Sequence, residues 1–139
     1  MTESPISAAD EARIVAVAMD LAREGNTAEL AAFLEHSFPV DARDAQGNTL
    51  LMLAAYHGHL DTVVVLISHG ADVDLPNERN QSPVAGAIFK GEEQIVRALV
   101  AAGADLDGGS PSARETAAMF GRTGLLELDG PDGPATVEV

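Results

Sequence analysis

Apolar residues recur along the middle of the chain at the three- and four-residue spacing of short amphipathic helices. One such run covers residues 50–55 and the next covers residues 60–67. A glycine follows each run, and glycine takes the left-handed conformation at a helix C-terminus without strain. Gly58 and Gly70 therefore predict where two short helices end, which gives a helix pair joined by a tight turn.

This predicted helix pair is repeated with a period of 33 residues. The sequence Gly-Ala-Asp occurs at residues 70–72 and again at 103–105, and Gly58 is matched by Gly91. A fixed period of about 20–50 residues is typical of stacked units, each too small to bury its own apolar face. We therefore expect an all-α solenoid whose core lies between neighbouring units.

Capping residues predict where the first helix of each pair begins. Thr49 and Ser82 each carry a hydroxyl that can accept a hydrogen bond from the first helical turn. Pro83 follows at the first helical position, where a missing N–H costs nothing. Gly86 lies inside the same predicted helix, and it costs roughly 1 kcal/mol relative to alanine. We therefore expect a modestly stable stack.

Residues 48–59 and the Gly-Ala-Asp-Val of residues 70–73 resemble the core motif and the closing loop of the ankyrin repeat. The resemblance implies a solenoid of about four helix-turn-helix units joined by hairpin loops, with degenerate capping units at both ends. The expected division is an N-terminal extension of residues 1–7, one repeat domain of residues 8–128 with units of about 8–40, 41–73, 74–106 and 107–128, and a C-terminal tail of residues 129–139. We expect a small stand-alone protein of this family, and an excess of arginine over lysine suggests a bacterial origin.

Three residues of the predicted first helices depart from the family's pattern. Leu50 stands where a proline is usual. Met52 and Ala85 stand where a histidine usually links adjacent units by hydrogen bonds. The resemblance therefore implies weaker polar ties between the units of this chain.

The formal net charge of −14 argues against nucleic acid as a partner. Phosphate binding requires clustered basic residues, whereas this chain has a single lysine, Lys90, and scattered arginines. The charge would steer a basic protein toward the chain, although a high like charge also simply keeps a soluble protein from associating. An inhibitor or immunity-type protein that occludes a basic enzyme is therefore one alternative function.

Two features bear on the compartment. No apolar run approaches the ~20 residues of a membrane span, and the short apolar run 14–19 follows acidic residues rather than the basic start of a secretory signal. We expect a cytoplasmic protein with no membrane partner. The absence of cysteine excludes disulfides and thiol catalysis.

The four histidines are the candidate residues for catalysis or metal binding. His57 and His59 flank a predicted turn, but no third ligand stands at a spacing typical of zinc sites. A metal-dependent enzyme built on these two histidines is a further alternative. In ankyrin units, the position of His59 commonly holds a structural histidine. His36 and His69 end predicted helices, where the helix dipole favours a capping role.

Other catalytic and cofactor motifs are missing from the sequence. The Asp-x-Asp sequences at residues 72–74 and 105–107 do not start EF-hand loops, because Asn77 and Ser110 replace the glycine required at the sixth position. We expect these aspartates to form turns. The glycine-rich fingerprints of nucleotide sites and the nucleophile elbow of hydrolases do not occur. We predict no enzymatic activity, no cofactor and no metal.

The resemblance also implies where a protein partner binds. In the ankyrin family, loop tips and the exposed face of each unit's first helix line a concave groove. The matching residues here are Tyr56, His57, Phe89, Lys90, Met119, Phe120, Gln46, Asn48, Arg79 and Gln81, with Ala45, Glu78, Arg23 and Glu24 beside them.

Three of these residues occupy one equivalent position in consecutive units. Stacking would align Tyr56, Phe89 and Met119 into an exposed apolar strip, which usually marks a protein contact site. We expect this strip to anchor the partner, with Lys90 and other polar residues setting its register. The alternatives are that Phe89 and Met119 pack onto neighbouring helices, that the chain's own tail covers them, or that the strip joins two copies. We expect a monomer rather than a homodimer.

Overall fold

The computed structural model describes residues 7–128, and these residues form seven α-helices and one 3-10 helix. In chain order the elements are α1 Ala8–Glu24, α2 Thr27–Glu35, α3 Leu50–Tyr56, α4 Leu60–Ser68, α5 Pro83–Lys90, α6 Glu93–Ala101, α7 Ala113–Met119 and the 3-10 helix Thr123–Leu128. Isolated antiparallel bridges, Arg43 to Thr49 and Gly109 to Ser112, make two of the connecting loops hairpin-like. The predicted tail of residues 129–139 and most of the predicted N-terminal extension lie outside the described residues.

The helix starts are set by the predicted hydroxyl caps. Oγ1 of Thr49 accepts a hydrogen bond from the N–H of Met52 at 3.1 Å, and Ser82 caps α5 in the same way at 3.2 Å. Ser112 caps α7 and forms a reciprocal capping box with Glu115. These bonds satisfy N–H groups that have no partner within their own helix.

The helices form two layers. α1, α3, α5 and α7 pack side by side in one layer, and α2, α4, α6 and the 3-10 helix form the other. The core runs without a break between the layers. Its largest fully buried side chains are Met19, Leu30, Leu50, Leu51, Leu66, Ile88, Ile95 and Leu99. This architecture confirms the predicted all-α repeat solenoid.

Aspartates join successive loops. Oδ1 of Asp41 accepts a hydrogen bond from the N–H of Asp72 at 2.9 Å, and Oδ1 of Asp74 accepts one from the N–H of Asp105 at 2.8 Å. Within each loop, Asp72 also accepts a hydrogen bond from the N–H of Asp74, and Asp105 accepts one from the N–H of Asp107. The recurring aspartates therefore have the turn-forming role that the sequence suggested.

Further polar ties between units occur at positions other than 52 and 85. The hydroxyls of Thr27 and Thr62 lie 2.7 Å apart, and Arg43 donates to the carbonyl of Pro76 at 2.7 Å. These polar bonds between units therefore lie at the loops and at the second helices.

The residue just before the second helix of a unit contacts the C-terminal end of the preceding unit's first helix. Nε2 of His59 donates to the carbonyl of Arg23 at 2.8 Å. Arg122 donates to the carbonyl of Ile88 at 2.8 Å. Glu92 occupies the same position between them, and its carboxylate, which cannot donate when ionised, lies against Gly58.

Within residues 7–128, no helix is both long enough and apolar enough to cross a bilayer.

Candidate partner-binding groove

The C-terminal ends of α3, α5 and α7 bring three aromatic rings together. The rings of Tyr56 and Phe89 stack with centroids 6.4 Å apart and an angle of 7° between their planes. Phe120 meets Phe89 edge to face, with centroids 5.1 Å apart. All three residues remain 38–45% exposed. We call Tyr56, Phe89 and Phe120 the aromatic ladder.

Met119, expected as the third member of the strip, lines the same cavity as Tyr56 and Phe89. α7 ends at Met119, and Phe120 follows as its C-cap residue. The ring that contacts Phe89 is that of Phe120, one residue further along the chain. Met119 is 63% exposed, so neither it nor Phe89 is covered by a neighbouring helix.

A cavity of about 360 Å³ opens beside the ladder. Besides the three rings, Met52, Gly86 and Met119 contribute to its walls. Within the part of the chain that the structure describes, every lining side chain is uncharged. The cavity thus offers an apolar surface next to exposed rings, as expected of a site that takes an apolar group.

Basic groups border the ladder. Nζ of Lys90 lies 4.8 Å from the centroid of the Tyr56 ring, within the range of a cation–π interaction. The guanidinium of Arg122 lies 5.9 Å from the centroid of the Phe120 ring and also donates to the carbonyl of Phe89. In a chain with a net charge of −14, the border of this groove carries positive charge.

His57 borders the same surface, its ring edge to face with that of Tyr56 at 5.4 Å. Burial lowers the pKa of His57 below its ordinary value of 6.5, and the positive charges of Arg23, His59 and Lys90 lower this pKa further. His57 is therefore neutral at pH 7 and can either donate or accept a hydrogen bond there.

The predicted loop residues divide into two groups. Nδ2 of Asn77 donates to Oδ1 of Asn48 at 3.0 Å and to Oε1 of Gln81 at 2.8 Å. The amides of Asn48 and Gln81 therefore hold two loops in register, although Gln81 also lines the cavity. The side chains of Gln46 and Arg79 are exposed at the loop tips.

The remaining histidines have structural roles. Besides the bond from His59 to Arg23, Nδ1 of His69 donates to the carbonyl of Val65 at 3.0 Å and Nδ1 of His36 donates to that of Ala32 at 2.8 Å. These contacts match the roles expected from the sequence. Within residues 7–128, no three His, Cys, Asp or Glu side chains cluster closely enough to hold a metal ion.

Two residues of this site were not recognised in the sequence. Gly86 was noted only for its cost to the helix, although its lack of a side chain widens the cavity. Arg122 was not singled out at all. The missing signal was its register, since Arg122 is equivalent to His59 only after the three-residue shortening of the last loop is taken into account.

The stacked helix pairs and the exposed groove define a helical repeat protein. The family model described as ankyrin repeats (3 copies) matches residues 18–110. The chain therefore belongs to the ankyrin repeat family.

A curated relative comes from Pseudomonas aeruginosa and is itself described as an ankyrin repeat protein. The two sequences are 45% identical over 65 residues. The match covers 45% of this chain and 38% of the relative, so the chain spans well under half the length of that protein.

Proposed function

We propose that this protein is a non-catalytic binding module that holds a segment of a protein partner in the groove formed by the aromatic ladder and its cavity. Ankyrin repeats are generally protein interaction modules. The single observation that carries the proposal is the contact between the exposed rings of Tyr56, Phe89 and Phe120 beside an apolar cavity.

Exposed rings in contact with one another can contribute strongly to the free energy of binding. Large aromatic side chains supply much of the free energy of protein association when a partner removes them from water. The ladder and Met119 line one cavity. The other large exposed apolar residues among those described are Ile14 and Val17 on α1 and Val64 on α4. A partner that covers the ladder therefore buries several large side chains at once.

The charge distribution favours this proposal over inhibition of a basic enzyme. Inhibition through the groove would need carboxylates there, but the groups that border the ladder include Lys90 and Arg122. We propose no catalytic role, in keeping with the uncharged cavity lining and the family's usual function. The monomeric state and the cytoplasmic location remain predictions from the sequence.

Capture from a lysate of the source organism tests the proposal. The purified chain is compared with the Tyr56→Ala/Phe89→Ala double variant, and retained proteins are identified by mass spectrometry. We expect a partner that only the unchanged chain retains.

A matched control removes exposed apolar groups elsewhere. The Val17→Ala/Val64→Ala double variant truncates residues that are 49% and 50% exposed on α1 and α4. This control should retain the partner. Equal retention by the folded Tyr56→Ala/Phe89→Ala variant would exclude the groove as the binding surface.

A further inference from the structure

Gly86 is a helix-interior glycine that the backbone does not require. It lies within α5, and its φ is not in the positive range that favours glycine. A Cβ at this position would meet only Cδ1 of Tyr56, at an ordinary contact distance of 3.6 Å. Alanine would therefore fit and would favour the helix. The fold gains nothing from glycine here.

The lack of a side chain at position 86 has its effect in the groove. Gly86 lines the cavity between Tyr56 and Phe89, and a longer side chain there would enter that space. The volume of about 360 Å³ lies within the range of about 300–1,000 Å³ typical of ligand pockets. A large apolar side chain of a partner can thus enter where this helix presents no side chain of its own.

Charge complementarity indicates what accompanies that apolar side chain. In residues 7–128, the four ion pairs involve Arg13, Arg23, Arg97 and Arg114. Lys90 is not among them, and its ammonium lies over the Tyr56 ring at the edge of the cavity. A partner carboxylate at this edge would meet a cation that has no carboxylate partner among the described residues.

We propose that the partner segment inserts one large apolar side chain into the cavity at Gly86 and places a neighbouring carboxylate against Lys90. The proposal rests on the proposed groove-binding function and adds the chemistry of the segment that the groove recognises. The occupant is thus an acidic and apolar segment of a partner protein, in contrast to the basic partner that the net charge alone suggests.

A phage-displayed library of random peptides, selected on the whole chain, provides the probe. We expect the enriched peptides to share a large apolar residue next to aspartate or glutamate. Two enriched peptides are then synthesised, and their affinities are measured for the unchanged chain and its variants. Gly86→Leu, which fills the cavity, should weaken binding about 10-fold or more, and Lys90→Met should weaken it several-fold.

Control variants separate binding from folding. Ala101→Leu adds the same side chain to an exposed position of α6 and should leave the affinity unchanged. Gly86→Ala should raise the melting temperature by a few degrees and still weaken binding by a smaller factor than leucine. This opposite effect on stability and affinity is not expected of a residue with a purely structural role, and it keeps the test valid if Gly86→Leu does not fold.

Two other outcomes distinguish a failure of this inference from a failure of the groove function. If the peptides depend on Tyr56 and Phe89 but bind the Gly86 and Lys90 variants normally, or carry lysine and arginine in place of carboxylates, the inference is wrong and the groove function stands. If no selected peptide depends on Tyr56 and Phe89, the groove function and this inference both fail.

Discussion

His57 illustrates how the groove combines apolar and basic character at a single residue. Its imidazole packs edge to face against Tyr56. It is also close enough to Arg23, His59 and Lys90 for their charges to disfavour protonation. Each of these contacts has the same effect, because burial and positive charge both stabilise the neutral ring. A positive charge on His57 is therefore unfavourable in this environment.

The first prediction concerns this histidine. In a titration followed by NMR, we expect the pKa of His57 to lie below 6.5. Arg23→Gln should raise that pKa toward 6.5 without reaching it, because burial is the larger cause of the shift. Arg97→Gln, on α6, serves as the control and should leave it unchanged. A His57 pKa at or above 6.5 in the unchanged chain would contradict this description of the groove.

The lowered pKa of His57 also makes the stability of the fold depend on pH. Because the folded pKa is lowered, the unfolded chain binds more protons than the folded chain over a range just below pH 6.5. The contribution of His57 to stability is therefore complete above pH 6.5 and is lost as the pH falls through the folded pKa. His57→Gln should flatten this part of the stability profile.

At the scale of helices and loops, much of the architecture was predictable because its determinants are local. Thr49, Ser82 and Gly91 set the ends of α3 and α5 through their own hydroxyls and backbone conformation. The edge-to-face contact of Phe120 with Phe89 was not predictable in this way, because it joins residues of two different units and requires the folded stack.

The groove was predictable only in part, because some of its features arise from contacts between different units. The equivalent positions of Tyr56 and Phe89 follow from the 33-residue period, and the period can be read directly. The cavity at Gly86 depends on the space between helices of different units, so a pattern within one helix does not reveal it. The loop amides of Asn48 and Gln81 likewise bond to Asn77, a pairing that requires the folded stack.

Glu92, which precedes the second helix α6, is the subject of a prediction about stability. His59 and Arg122 donate to the end of the preceding unit's first helix, but Glu92 at the equivalent position cannot. The Glu92 carboxylate is unfavourable near the C-terminus of α3 but favourable at the N-terminus of α6, so the added hydrogen bond decides the expected effect. We expect Glu92→His to raise the free energy of unfolding by about 1 kcal/mol through a bond to the carbonyl of Tyr56.

Denaturant unfolding measures this effect, with Glu92→Ala as the control. Alanine removes the carboxylate without adding a donor, so it should stabilise less than histidine does. Equal stabilities for the two variants would mean that the position forms no such tie between these units.

At the scale of the whole molecule, the net charge of −14 and the positive border of the groove act over different distances. The net charge repels an acidic segment from afar, but at physiological ionic strength its field is screened beyond about 8 Å. Close to the groove, Lys90 and Arg122 lie 4.8 Å and 5.9 Å from the centroids of the Tyr56 and Phe120 rings, which is inside this screening distance. The acidic surface therefore limits association without setting what the groove binds.

The same net charge gives a prediction for the unbound protein. Self-repulsion among 22 acidic and 8 basic residues destabilises the compact state. Raising the salt concentration from about 10 mM to about 150 mM shortens the Debye length from about 30 Å to about 8 Å. We therefore expect the melting temperature to rise by a few degrees. The Glu24→Gln/Glu35→Gln variant should show a smaller rise, and a melting temperature that falls with salt would refute self-repulsion as the dominant electrostatic effect.

The most direct test of the central claim is the affinity of the captured partner, purified and titrated calorimetrically against the unchanged chain and two double variants. We expect Tyr56→Ala/Phe89→Ala to raise the Kd about 100-fold or more, since two aromatic anchors are lost, while circular dichroism shows an intact fold. Val17→Ala/Val64→Ala should leave the Kd unchanged. A Kd for the folded aromatic variant within about twofold of the unchanged chain's would exclude the groove, because the partner would then bind elsewhere on the stack.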